Sequence, residues 1–307
     1  MFLKKDGWRR SDFGTAEPSG CADVTRIGDH GRVKKDSGLI GRLFSGAPVL
    51  GRMLVLPLLV ASACQPVNPS AGDDEPRVLV LVASSLGEIV EQAAARFEAK
   101  TGIQVLVHVA GSSTIGSQLL SGSSGDVFIP ADRAWAGLVL EAFPSAIPVG
   151  EIARNRLVVV GDLGGGESID LAATMPPTDW SKVAVADPEH VPAGRYARSA
   201  FESIGWWGPL KSRLVPTGDV RAALRLVEMG EADAGVVYQS DVFATTSVRI
   251  LAVLPSNLHE PIIYPIVMLE ERPAVRAFID SLGSSETRSA LVQRGFTNIM
   301  AAAREGP

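Results

Sequence analysis

Cysteine is nearly missing from this chain: Cys21 and Cys64 are the only two in 307 residues. Two thiols build no disulfide framework, and no C-x-x-C pair is present for zinc or redox chemistry. Histidine is almost as scarce, with His30, His108, His190 and His259 isolated from one another in sequence. Aromatic residues make up only 6% of the chain, and the 31 Gly and 20 Pro are too few for a collagen-like or low-complexity polymer. The longest apolar stretch, Met53 to Ala63, is too short to cross a bilayer as a mature helix.

Positive charge is short where it matters most. Residues 1–63 hold ten Lys/Arg against six Asp/Glu, which leaves 19 against 28, net −9, for the other 244 residues. A phosphate backbone demands clustered Lys and Arg, so nucleic acid is excluded as a partner. What is present, 46% hydrophobic and 21% charged residues, is the composition of a soluble globular protein of one to three domains.

The N-terminal quarter reads as an address. From Arg42 the chain runs GRLFSGAPVLGRMLVLPLLVASAC, with Arg42 and Arg52 as a basic region, an apolar core and then small residues. That is the anatomy of a secretory signal peptide, over 42–63. Ala61-Ser62-Ala63-Cys64 also looks like a bacterial lipobox, in which the cysteine becomes the lipid-modified first residue and a membrane tether. Residues 64–76, rich in Pro, Asn, Ser, Gly, Asp and Glu, bury no apolar surface and are expected to be a flexible tether. A short core helix with an incidental cysteine is the alternative, and the polar linker that follows at once speaks against it. Residues 1–41 are either a disordered leader or a sign that translation starts downstream. Residues 297–307 are expected to be a tail.

From Arg77 strands and helices alternate. Val78–Val82 is a continuous apolar run, the mark of a strand buried on both faces. Ser84-Ser85 offers helix caps, and Leu86, Val90, Ala93 and Phe97 recur at helical spacing until Gly102. Further strands are predicted at Ile103–Val109, Asp126–Ile129, Arg156–Val160, Lys182–Ala186, Ala234–Tyr238 and Ile262–Met268. Helices are predicted to open at Gly111–Thr114, to be capped by Asp132, to start near Gly194 and to be capped by Asp219 or Thr217, with two more over Ala274–Phe296. The alternation implies two α/β lobes, about 77–153 with 240–296 and about 154–239, and a ligand cleft between them.

Catalytic templates are absent. There is no G-x-S-x-G elbow, G-x-x-x-x-G-K-[ST] loop or H-E-x-x-H pair, and the glycines at 164–166 read as a surface loop. A Ser85–His190–Asp187 triad is imaginable, yet nothing in the spacing requires it, so no enzyme is expected. The positive signal is four turns at strand-to-helix junctions: Ser84–Leu86, Gly111–Thr114, Val191–Gly194 and Thr217–Val220. Each offers free backbone N–H groups at a helix N-terminus, and several facing one cleft make an anion site without Lys or Arg. The plainer alternative is that Ser and Asp at these turns only cap their helices.

At these same residues the sequence resembles the molybdate-binding proteins of bacterial ABC transporters. The resemblance spans Arg77 to Phe296 and rests on ASSL (83–86), GSS (111–113), GDVFIPAD (125–132), NRLVVV (155–160), ADPEHVPAGRYA (186–197), DVRAALRLVEMGEADAGVVYQSD (219–241) and RGF (294–296). Pro130 and Ser84 depart from the usual Ser and Ala. The resemblance implies a two-lobed periplasmic-binding-protein fold of class II, each lobe a mainly parallel sheet flanked by helices. It implies a molybdate ligand, tungstate with it, held by Ser85, Ser112, Ala193, Val220 and Tyr238, the metal arriving only as its oxyanion. It further implies delivery to a membrane permease by a periplasmic, lipid-tethered monomer that needs no cofactor. A sulfate-type or other tetrahedral-oxyanion receptor on the same fold is the alternative. A ferric-ion receptor is a third reading, weakened by the separation of Tyr196, Tyr238 and Tyr264 in sequence. Asp219 is expected to cap its own helix, and Ser84 to cap or to add a donor.

Overall fold

The computed structural model of the chain describes residues 77–164 and 168–297. The expected leader, signal peptide, Cys64 lipobox and tether, most of the 164–166 glycine loop and nearly all of the expected tail lie outside the described residues.

The first lobe opens with β1 (Arg77–Ala83), α1 (Gly87–Thr101), β2 (Gln104–Ala110), α2 (Ser112–Leu120), β3 (Val127–Ile129), α3 (Arg133–Ala142) and β4 (Ile147–Arg154). β1 is central because its residues suit no other place: Val78, Val80 and Val82 are fully buried. α1 lays Ile89, Val90, Ala93 and Phe97 on the sheet and stops at Gly102, whose φ of 73° is left-handed.

The chain then enters the second lobe: β5 (Leu157–Asp162), β6 (Val183–Ala186), α4 (Pro192–Ser203), α5 (Trp207–Leu210), β7 (Leu214–Thr217), α6 (Val220–Glu228), β8 (Ala234–Tyr238), α7 (Gln239–Val242) and β9 (Val248–Val253). It returns through β10 (Ile263–Met268) and ends on α8 (Pro273–Ser281) and α9 (Ser285–Gln293).

The sheet orders are β2-β1-β3-β10-β4 and β7-β6-β8-β5-β9. β10 is the one strand that opposes its neighbours in the first sheet, and β5 in the second, so four of five strands run the same way in each. The mainly parallel two-lobed fold is as expected. The return crossing needs correction: β9 pairs with β5, so the second lobe runs past residue 240 to Val253. β4, β7 and β9 were not anticipated, and each is an edge strand.

Helix N-termini collect where the parallel strands end, because a right-handed crossover returns from the carboxyl end of each strand. At α4 this packing is tight enough to exclude a side chain. A β-carbon on Gly194 would overlap the carbonyl oxygens of Ala186 and Asp187, so only glycine lets the first turn of α4 sit against the end of β6.

Candidate functional site

Five turns, two from the first lobe and three from the second, meet in one cavity. Ser85 lies in the 3-10 turn between β1 and α1, and Ser112 is the first residue of α2. Ala193 follows Pro192 at the start of α4, Val220 opens α6, and Tyr238 ends β8. All five line the same small cavity, too small for a drug-sized ligand.

The helix caps decide what the cavity offers. Asp132 and Asp219 do cap, accepting from the Trp135 and Ala222 amides at 3.0 Å each. Thr217 does not; its hydroxyl donates to the Asp219 carbonyl at 2.8 Å. Ser84 and Ser85 do not cap either, because Ala83 holds the cap position without a side-chain bond. Gly111 and Val191 likewise precede α2 and α4 with no side-chain cap. The capping alternative therefore fails at three of the four turns, and the first amides of α2 and α4 stay unpaired within their helices.

The hydroxyls are arranged as donors. Ser112, 3% exposed, accepts the Ala131 amide at 3.0 Å, which leaves its proton for the cavity. Tyr238 is 1% exposed, and its hydroxyl has no hydrogen-bond partner among the described residues. A buried unpaired hydroxyl costs about 1–3 kcal/mol, so it marks a place for an outside acceptor. Burial pushes the Tyr238 hydroxyl well above the ordinary tyrosine range, which keeps it protonated. Ser85 Oγ lies 2.8 Å from the Tyr264 hydroxyl.

No Lys or Arg lines the cavity. The nearest guanidiniums are neutralised: Arg195 pairs with Asp132, and Arg221 lies 2.6 Å from Asp241 and 3.5 Å from Glu88. Several of these links also join the lobes around the site. Arg195 of α4 reaches Asp132 ahead of α3, Trp135 Nε1 donates to the His190 carbonyl at 3.0 Å, and Glu88 of α1 meets Arg221 of α6. Positive potential at the cavity thus comes from helix N-termini rather than from side-chain cations.

The imagined triad does not form. His190 pairs with Asp187 at 2.8 Å on the surface, 70% exposed, while Ser85 is committed to Tyr264. The tyrosines are closer than their sequence separation suggests, with the Tyr238 and Tyr264 rings 6.2 Å apart. The Tyr264 hydroxyl is nonetheless occupied by Ser85 and Asn155, and no group of three or more His, Cys, Asp or Glu fit to hold a metal exists among the described residues. Sequence reasoning missed Tyr264, Asn155 and Ser240, which form a buried chain behind Ser85. Asn155 stood in the NRLVVV run, but nothing in the run told its role.

The model of the bacterial extracellular solute-binding proteins matches residues 78–297. The chain belongs to this family. Its members bind solutes and are not enzymes. The chain is 35% identical to the molybdate-binding protein ModA of Escherichia coli (strain K12), over 73% of this chain and 90% of that one. It is 31% identical to the molybdate-binding protein ModA of Haemophilus influenzae, over 72% and 90%. Its fold matches the periplasmic molybdate-binding protein of Azotobacter vinelandii with a TM-score of 0.62 at 21% identity, covering 73% of this chain and 100% of that one.

Proposed function

We propose that this solute-binding protein captures molybdate, and tungstate with it, outside the cytoplasm and delivers it to an ABC transporter permease. The ligand is held by the Ser85, Ser112 and Tyr238 hydroxyls and by backbone amides at Ala193 and Val220. The observation that carries this reading is the buried, unpartnered Tyr238 hydroxyl in a cavity that has donors and no cation. Molybdate at neutral pH is a fully deprotonated tetrahedral dianion, so it takes donors only. Each hydrogen bond to such a charge contributes about 1.5–3 kcal/mol. A net charge of −9 outside residues 1–63 gives no long-range attraction, so the local dipoles carry the affinity. The proposed protein is a monomer, tethered to the membrane by a lipid on Cys64 and the linker after it.

Molybdate and tungstate share charge and nearly share size, whereas sulfate is smaller and would stretch the bonds of a rigid cavity. In thermal-shift titration, saturating molybdate and tungstate are expected to raise Tm alike, with an apparent Kd at least about 100-fold below that of sulfate. Stabilisation by sulfate at the same concentration would replace this reading with a sulfate-type receptor.

A further inference from the structure

We infer that Tyr264, held by Asn155, is a positioning residue that sets the direction of the Ser85 hydroxyl and thereby makes the cavity reject protonated oxyanions. The inference rests on the proposed oxyanion reading and adds the source of selectivity within it.

The chain of bonds has one consistent direction. Asn155 Oδ1 accepts the Arg156 amide at 2.9 Å and the Ser240 amide at 3.4 Å, so the other end of its side chain is the NH₂ group. That Nδ2 donates to the Ser240 hydroxyl at 2.8 Å and to the Tyr264 hydroxyl at 3.1 Å. Tyr264 is fully buried and must place its own proton on an acceptor. Asn155 Nδ2 accepts nothing, and Ser85 Oγ at 2.8 Å is its other hydrogen-bond partner among the described residues. Tyr264 therefore donates to Ser85.

A serine hydroxyl has a single proton. Were Ser85 to give it to Tyr264, only lone pairs would face the cavity, and these repel a dianion. With Tyr264 donating, the Ser85 proton is released toward the cavity. Ser112 is treated the same way by the Ala131 amide. A hydrogenphosphate ion would then press its own proton against that of Ser85. A fully deprotonated anion has no proton to press against it. Discrimination between two ions of equal charge is thus set by a tyrosine and an asparagine behind the serine.

The test is calorimetric titration of the whole chain with molybdate and with inorganic phosphate at pH 8, for wild type, Tyr264→Phe and Asn155→Asp. Tyr264→Phe lets Ser85 turn and accept. Asn155→Asp replaces a donor with an acceptor, so Tyr264 donates to the new carboxylate and draws the Ser85 proton away. In both variants the molybdate-to-phosphate affinity ratio is expected to fall at least tenfold, with molybdate itself weakened about tenfold. Added negative charge or loosened packing would weaken both dianions together and leave the ratio where it was. An unchanged ratio in both variants overturns the inference. Should Tyr264→Phe fail to fold, Asn155→Asp decides alone. Wild type that binds neither ion overturns the functional reading itself, and the inference with it.

Discussion

Ser112→Asp is expected to abolish molybdate binding, weakening it by more than about 1,000-fold, while Ser112→Ala weakens it only about 10- to 100-fold. Ser112 is buried at the first position of α2, and its oxygen already accepts the Ala131 amide. A carboxylate there keeps that bond, so the local structure survives. It cannot donate, and it sets a negative charge beside a dianion. At an effective dielectric of about 20, unit charges 4 Å apart interact by about 4 kcal/mol, and a dianion doubles the repulsion. Partial relaxation still leaves more than the roughly 4 kcal/mol of a 1,000-fold loss. The alanine loses one charged hydrogen bond and gains no charge. Calorimetric titration of both variants, with melts of the ligand-free proteins as the folding control, separates the two effects. An aspartate variant that bound molybdate within tenfold of wild type would remove the anion from this cavity.

The second large effect concerns stability. Asp241 is fully buried three residues after Tyr238, where it accepts the Tyr238 amide at 3.2 Å and faces Arg221. Burial pushes its carboxyl up to about 6, against the lowering pull of Arg221. A folded-state value above the unfolded one, near 3.8, means that the proton favours the fold. That contribution is complete below about 3.8 and lost as pH rises through about 6. Arg221→Met strips the ion from its partner, and an uncompensated buried charge costs about 3–5 kcal/mol. At pH 8 the variant is expected to melt on the order of 10 °C below wild type. At pH 5 the gap closes to a few degrees, because Asp241 is then protonated in both proteins. Thermal melts at the two pH values check this, and an equal deficit at both would mean that Arg221 stabilises by some route other than Asp241.

How much of this was readable depends on where each strand lies in its sheet. β1, β5, β6 and β8 announced themselves as continuous Val/Ala/Leu runs because they are covered on both faces. β4, β7 and β9 did not. As edge strands they are half-exposed, and β4 and β7 contain Pro148 and Pro216, which read as breaks. Missing β9 also moved the expected lobe boundary to about residue 240. The expectation that Ser84 or Ser85 caps α1 failed for a different reason: a serine before a helix gives the same local signal whether its hydroxyl turns to the helix or to a cavity.

Sequence alone determined the alternation of elements, the turns at which helices begin, and the residue types at Ser85, Ser112, Ala193, Val220 and Tyr238. These are local properties, written in spacing and in the chemistry of single residues. Only tertiary structure decided that the five positions line one cavity, that the nearby arginines are already neutralised, and that Asn155 and Tyr264 stand behind Ser85. Those are pairings of buried polar groups across 85 to 179 positions, such as Asn155 with Ser240 and Ser85 with Tyr264. A donor finds its acceptor by closeness in space, and no periodicity along the chain records that.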